Sequence, residues 1–168
     1  MILAVNVDYR EDCARVAGIL FRDWGDEHPM IERVVECNVV SDYRPGEFFR
    51  RELPCIERLL QEIDQPVDCI VVDGYVYLGS ERRPGLGKHL FDALEQKIAV
   101  IGVAKTPFRD TPDTTAVFKG KSTRPLYVTA AGMPQDLARQ RIRDMQGEHR
   151  IPTLLQQVDR LCRSLKPI

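Results

Sequence analysis

Val67-Asp68-Cys69-Ile70-Val71-Val72-Asp73-Gly74 is the stretch that decides the fold. A short, nearly all-apolar run that ends in an acid and a glycine is the pattern of a strand buried on both faces. Such a strand delivers a carboxylate at its carboxyl end. Upstream, ILAVNVDY (2–9), CARVAGILF (13–21) and IERVVECNVV (31–40) read as three further strands, with turn residues at 23–29 between the second and third. Tyr43-Arg44-Pro45-Gly46 breaks the pattern, and an apolar stripe of Phe48, Ile56, Leu59, Leu60 and Ile63 predicts a helix over 47–63, kinked at Pro54. Downstream, Gly85–Lys97 predicts a helix, IAVIGVAK (98–105) and RPLYVTAAG (124–132) strands, and Pro134–Met145 and Pro152–Ser164 helices with proline in the first turn. A three-strand meander followed by alternating helix and strand is a mixed-sheet α/β domain, expected to span residues 1–168.

Bulk properties narrow the class. The chain has 168 residues, 43% of them hydrophobic, enough for one core. No apolar run is long enough for a transmembrane helix, and the first residues read as a strand rather than a secretory signal. Cys13, Cys37, Cys55, Cys69 and Cys162 are scattered and odd in number, with no C-x-x-C pair, so neither a disulfide framework nor a zinc site is indicated. Free thiols fit a reducing cytoplasm. A net charge of −1 argues against indiscriminate nucleic-acid binding, but the charge is uneven. Residues 1–42 carry four Arg against nine acids, a net of −5, and residues 81–124 carry nine Lys or Arg against five acids, a net of +4. The basic stretch suits either a solvated surface or a side facing a phosphate backbone.

The residues that could carry chemistry are Asn6 and Asp8 on the first strand, Glu52 on the first helix and Asp73 at the end of the central strand. The first strand and the next central strand are commonly neighbours, so their polar side chains can converge. Clustered carboxylates repel unless protonated or neutralised, and a hard divalent cation is their natural companion. Taken singly, Asp73 before Gly74 also fits an ordinary turn, and Glu52 an ordinary surface position.

Tyr43-Arg44-Pro45-Gly46 followed by Arg51-Glu52-Leu53-Pro54 resembles the endonuclease V signature Y-x-P-G-x-x-x-x-R-E-x-P. VVDG (71–74), GLGKHL (85–90), IGVAK (101–105) and HRIP (149–152) with Asp159 downstream resemble its later motifs, in the same order. The resemblance implies a ribonuclease-H-like fold and Mg²⁺- or Mn²⁺-dependent cleavage of inosine-containing DNA or RNA, one phosphodiester beyond the lesion on its 3′ side. It implies that Glu52 and Asp73 are metal ligands, with Asn6 and Asp8 beside them, and that Lys105 contacts phosphate near the scissile bond. Tyr43, Pro45 and Gly46 would wedge into the base stack. Gly85, Leu86 and Gly87 would form the pocket for a flipped base, with Lys88 and His89 also facing nucleic acid.

Three departures qualify that picture. The family's first-strand acid falls on Asn6, a neutral amide, with Asp8 nearly 7 Å further along the same strand face. The loop 74–84 lacks the family's histidine. The family's histidine after a small residue and glycine has no counterpart at Thr129-Ala130-Ala131-Gly132-Met133, where Asp136 is the nearest acid in sequence. His28, His89 and His149 fit surface or packing positions, and Trp24 a loop anchor. The rival readings are a catalytically silent nucleic-acid-binding homologue and a small-molecule- or protein-binding domain that reuses the fold.

Overall fold

The computed structural model describes residues 1–11, 13–38 and 49–164. Tyr43, Pro45 and Gly46 lie outside the described residues. The meander forms as β1 (Ile2–Tyr9), β2 (Cys13–Phe21) and β3 (Ile31–Asn38), each antiparallel to the next. Helix α1 (Phe49–Leu60) leads to β4 (Cys69–Asp73), which pairs parallel to β1. A small hairpin, β5 (Tyr77–Leu78) with β6 (Arg83–Pro84), precedes α2 (Leu86–Ala93) and β7 (Ala99–Ala104), which is parallel to β4. Then come a 3-10 turn (Asp113–Thr115), β8 (Ala116–Val117), β9 (Leu126–Ala131), α3 (Gln135–Asp144) and α4 (Thr153–Arg163). The seven-stranded sheet has the order β3-β2-β1-β4-β7-β9-β8, so β4 is its middle strand.

Each face of the sheet has its own core. Leu3, Val5, Ile70, Val72 and Val100 pack with Ile56 and Leu59 of α1 and Leu90 of α2. Ile2, Ala4, Val71, Ile101 and Val128 pack with Ile142 of α3 and Leu154, Val158 and Cys162 of α4. A one-residue slip of β1 would exchange the two sets, and burying each Leu, Ile or Val contributes about 1.5–3 kcal/mol, so the register is strongly fixed. That register aims Asn6 and Asp8 at the α4 side.

Two local expectations change. Helix α1 runs through Pro54 without interruption, and the Cys55 thiol donates to the Arg51 carbonyl beside it at 3.3 Å. Pro134 and Pro152 stand at the N-caps of α3 and α4, with extended backbone, rather than inside the first turn. All five cysteines are free, three of them buried. Among the described residues no helix is long and apolar enough to cross a membrane.

Candidate active site at the carboxyl end of the sheet

Parallel pairing places Val5 opposite Val72, so the next step brings Asn6 alongside Asp73, about 4.8 Å away across neighbouring strands. The same two residues, with Lys105 just past β7 and Ile151, Leu155 and Val158 from the α4 region, line a cavity of about 20 Å³. Lys105 Nζ lies 3.3 Å from Asp73 Oδ2, both groups about one-third exposed.

Both polar atoms of the Asn6 side chain have a partner. Its Nδ2 donates to Asp159 Oδ1 at 2.8 Å, and its Oδ1 accepts from the Val7 amide at 2.9 Å. Arg163, one turn along α4, completes the arrangement by donating to the same Asp159 oxygen at 2.9 Å. A neutral amide here ties β1 to α4.

Glu52 arrives from the other face, on α1. It shares with Asp73 a cleft of about 290 Å³, which is also lined by Phe49, Tyr75, Gly85 and Phe108. Burial pushes the Glu52 carboxyl up to about 7, the Asp73 charge adds to the rise, and Arg51 opposes it. Two carboxylates therefore face one cleft with no hydrogen bond between them.

The cleft's walls rest on close backbone approaches. A Cβ on Gly85 would lie 2.6 Å from the Tyr75 carbonyl oxygen, and one on Gly102 would lie 2.5 Å from that of Gly74. A Cβ on Gly87 would lie 2.6 Å from the Val76 side-chain methyl and 3.1 Å from its Cα. The Tyr75 hydroxyl donates to the Thr106 carbonyl at 2.7 Å and accepts from the Phe108 amide at 3.1 Å, which fastens the loop after Asp73 to the loop after Lys105. Arg150 donates to the carbonyls of Lys105 and Pro125. His89 stacks on Phe49 with ring centroids 3.8 Å apart, and burial lowers its pKa. Lys88 pairs with Asp92 at 2.6 Å.

Residues 1–134 match the family model described as endonuclease V. The chain belongs to the endonuclease V family. Its structure is similar to that of endonuclease V from Streptomyces avermitilis at 26% identity and a TM-score of 0.77, over 96% of this chain and 79% of that one. Human endonuclease V, 20% identical, superposes with a TM-score of 0.73 over 96% and 82% of the two chains. Ciona intestinalis endonuclease V, bound to DNA containing an inosine followed by a ribo-adenosine, is 16% identical with a TM-score of 0.78, over 96% and 84%. Among curated proteins none matches this sequence. The mixed sheet with its flanking helices is the ribonuclease-H-like fold of these endonuclease V structures.

Within this endonuclease V framework several sequence expectations move. Asp8 sits beyond the end of β4, and Arg10 holds it at 3.6 Å. Asp136 is exposed and pairs with Arg139 at 3.5 Å. The region of the missing histidine is at the wrong end of the sheet. Gly132 follows Ala131, which pairs with Val100, whereas Asp73 pairs with Val103. The offset is about 13 Å along the strands. The acid that does approach Asn6 is Asp159, which the sequence reading placed in a motif without giving it a role. Its signal was the buried stripe Leu154, Val158 and Cys162, which turns the neighbouring Asp159 toward β1.

A divalent cation fits this donor set only in part. Among the described residues no three His, Cys, Asp or Glu side chains converge to hold a metal. Mg²⁺ is nevertheless commonly held by one or two carboxylates, with waters and substrate phosphates completing the shell, and Glu52 and Asp73 supply two. Lys105 already offsets part of the Asp73 charge, and Glu52 is raised first by burial and second by Asp73, so a cation would have to displace the proton that burial favours on Glu52.

Proposed function

We propose that this endonuclease V-family chain is a Mg²⁺- or Mn²⁺-dependent nuclease that hydrolyses a phosphodiester 3′ to inosine in DNA or RNA, with weakened activity. The observation that carries this reading is that Glu52 and Asp73 line one cleft, with Lys105 3.3 Å from Asp73. Glu52 and Asp73 would hold the cation, which when bound polarises the phosphate and stabilises the leaving oxygen. Lys105 neutralises charge on the same phosphate. Glu52, with a pKa near neutrality, can hold or release a proton at its carboxyl under working conditions. Gly85, Leu86 and Gly87 bound the pocket for the flipped base, and Tyr43, Pro45 and Gly46 act as the strand wedge. The bound partner is inosine-containing nucleic acid, as in the Ciona complex.

One observation favours a second reading, a catalytically silent nucleic-acid-binding homologue. Asn6 adds no charge, and its amide is already committed to Asp159. Single-turnover incubation of end-labelled inosine strands with excess protein and Mg²⁺ or Mn²⁺ separates the two. Metal-dependent nicking one phosphodiester beyond the inosine supports the nuclease. Tight binding with no product at any metal concentration overturns it in favour of the silent binder.

A further inference from the structure

The hairpin β5–β6 belongs to the loop that departs from the family pattern, and it has a second face. Away from the acids, beyond Tyr75, lies a cleft of about 150 Å³ lined by Tyr77, Ser80, Arg82, Thr111, Thr114 and Gln135, among others. Among the described residues that line it, Arg82 alone is charged. The guanidinium stands over the Tyr77 ring, 4.2 Å from its centroid, and has no carboxylate partner among the described residues. The hydroxyls of Tyr77, Ser80 and Thr114 likewise have no hydrogen-bond partner there. Arg82 also holds a left-handed backbone, φ 56°, in the hairpin turn, one of four such non-glycine residues among those described.

A lone cation among unspent hydroxyl donors matches the chemistry of a phosphate diester, which offers negative oxygens and no proton donors. Tyr75 lines both this cleft and the acid cleft, so the two adjoin the same side chain. We propose that this cleft is a second phosphate subsite, in which Arg82, Ser80 and Thr114 hold a backbone phosphate of the bound strand away from the reacting one. The proposal rests on the nucleic-acid-binding reading above.

The test compares wild type with Arg82→Gln, Arg82→Lys and Arg82→Gly by anisotropy titration of a labelled inosine oligonucleotide across a salt series. Losing one phosphate contact should reduce the slope of log K against log salt by about 0.7–0.9 and weaken binding several-fold in Arg82→Gln. Arg82→Lys should restore part of it. Arg82→Gly, freed from backbone strain, should melt no lower than wild type yet bind as weakly as Arg82→Gln, which separates lost contact from lost fold. Unchanged affinity and slope in all three variants, with wild type still binding, would remove the subsite and leave the proposed function standing. Failure of wild type to bind any inosine strand would remove both. Inosine monophosphate is the second arm. If it binds wild type in an Arg82-dependent way while oligonucleotide binding ignores Arg82, the site takes free mononucleotide and the strand assignment is wrong.

Discussion

Two polar pairs meet at the carboxyl end of the sheet, and they have opposite character. Asn6 and Asp159 form a settled pair, in which an amide donor meets a carboxylate at 2.8 Å and Arg163 shares the charge. Glu52 and Asp73 form an unsettled pair, two carboxyls in one cleft, one of them pushed up to about 7. The first pair docks α4 on β1. In the second, Asp73 has Lys105 3.3 Å away, while burial first and the Asp73 charge second favour a proton on Glu52.

The largest expected effect falls on the unsettled pair. Asp73→Asn should reduce metal-dependent cleavage by roughly 10²–10³-fold, because it removes half of the charge that faces the phosphate. Single-turnover rates on an inosine strand measure this, and a change under threefold would dissociate Asp73 from the chemistry.

Asn6→Asp attacks the contrast directly. It would set two carboxylates where an amide and a carboxylate now bond at 2.8 Å. At neutral pH without metal it should cost about 1–3 kcal/mol of stability, the order expected for a buried hydrogen bond replaced by an unpaired group. The loss should shrink at pH 5, where the repelling pair shares a proton, and millimolar Mg²⁺ should reverse part of it. Thermal melts at the two pH values, with and without Mg²⁺, measure this. A variant as stable as wild type throughout would show that the Asn6–Asp159 bond has no docking role. Adding Gly132→His should restore no activity, since Gly132 lies at the far end of the sheet and a side chain there meets Phe91 at 2.9 Å with φ 81°.

Glu52 sharpens the comparison through pH. Its folded-state pKa lies above the ordinary carboxylate value, so the folded state holds the proton more tightly than the unfolded chain does. The resulting stability is fully present below about pH 4.5 and is lost as pH rises through about 7. Glu52→Gln should flatten stability across that window, whereas Mg²⁺ affinity of the wild type should climb through it as the proton leaves. Denaturant melts and Mg²⁺ titrations at pH 5, 6, 7 and 8 test both, and parallel curves for the two proteins would refute the shift.

The smallest effect belongs to the walls. Tyr75→Phe removes the hydroxyl that joins Thr106 to Phe108 and should cost about 1 kcal/mol. An unchanged melting temperature would show that the loops hold without it.

The sequence by itself determined the sheet plan and the family. Period-two alternation placed Asn6 and Asp8 on one face, and the apolar run before Asp73 marked the middle strand, because both are local consequences of strand geometry. The ordered motifs carried the kinship to endonuclease V. Only the tertiary structure decided what each polar side chain meets. Asp159 is 153 residues from Asn6 in the chain, and no spacing rule connects them. Antiparallel pairing of β9 with β7 sent Gly132 and Asp136 away from the acids, although a reading of motif order set them beside the site. The hairpin with Arg82 escaped notice because two-residue strands carry too few positions for a period to show. Local sequence fixes which way a side chain leaves its strand, whereas the partner it meets depends on strand order and helix docking, which are global properties of the packed sheet.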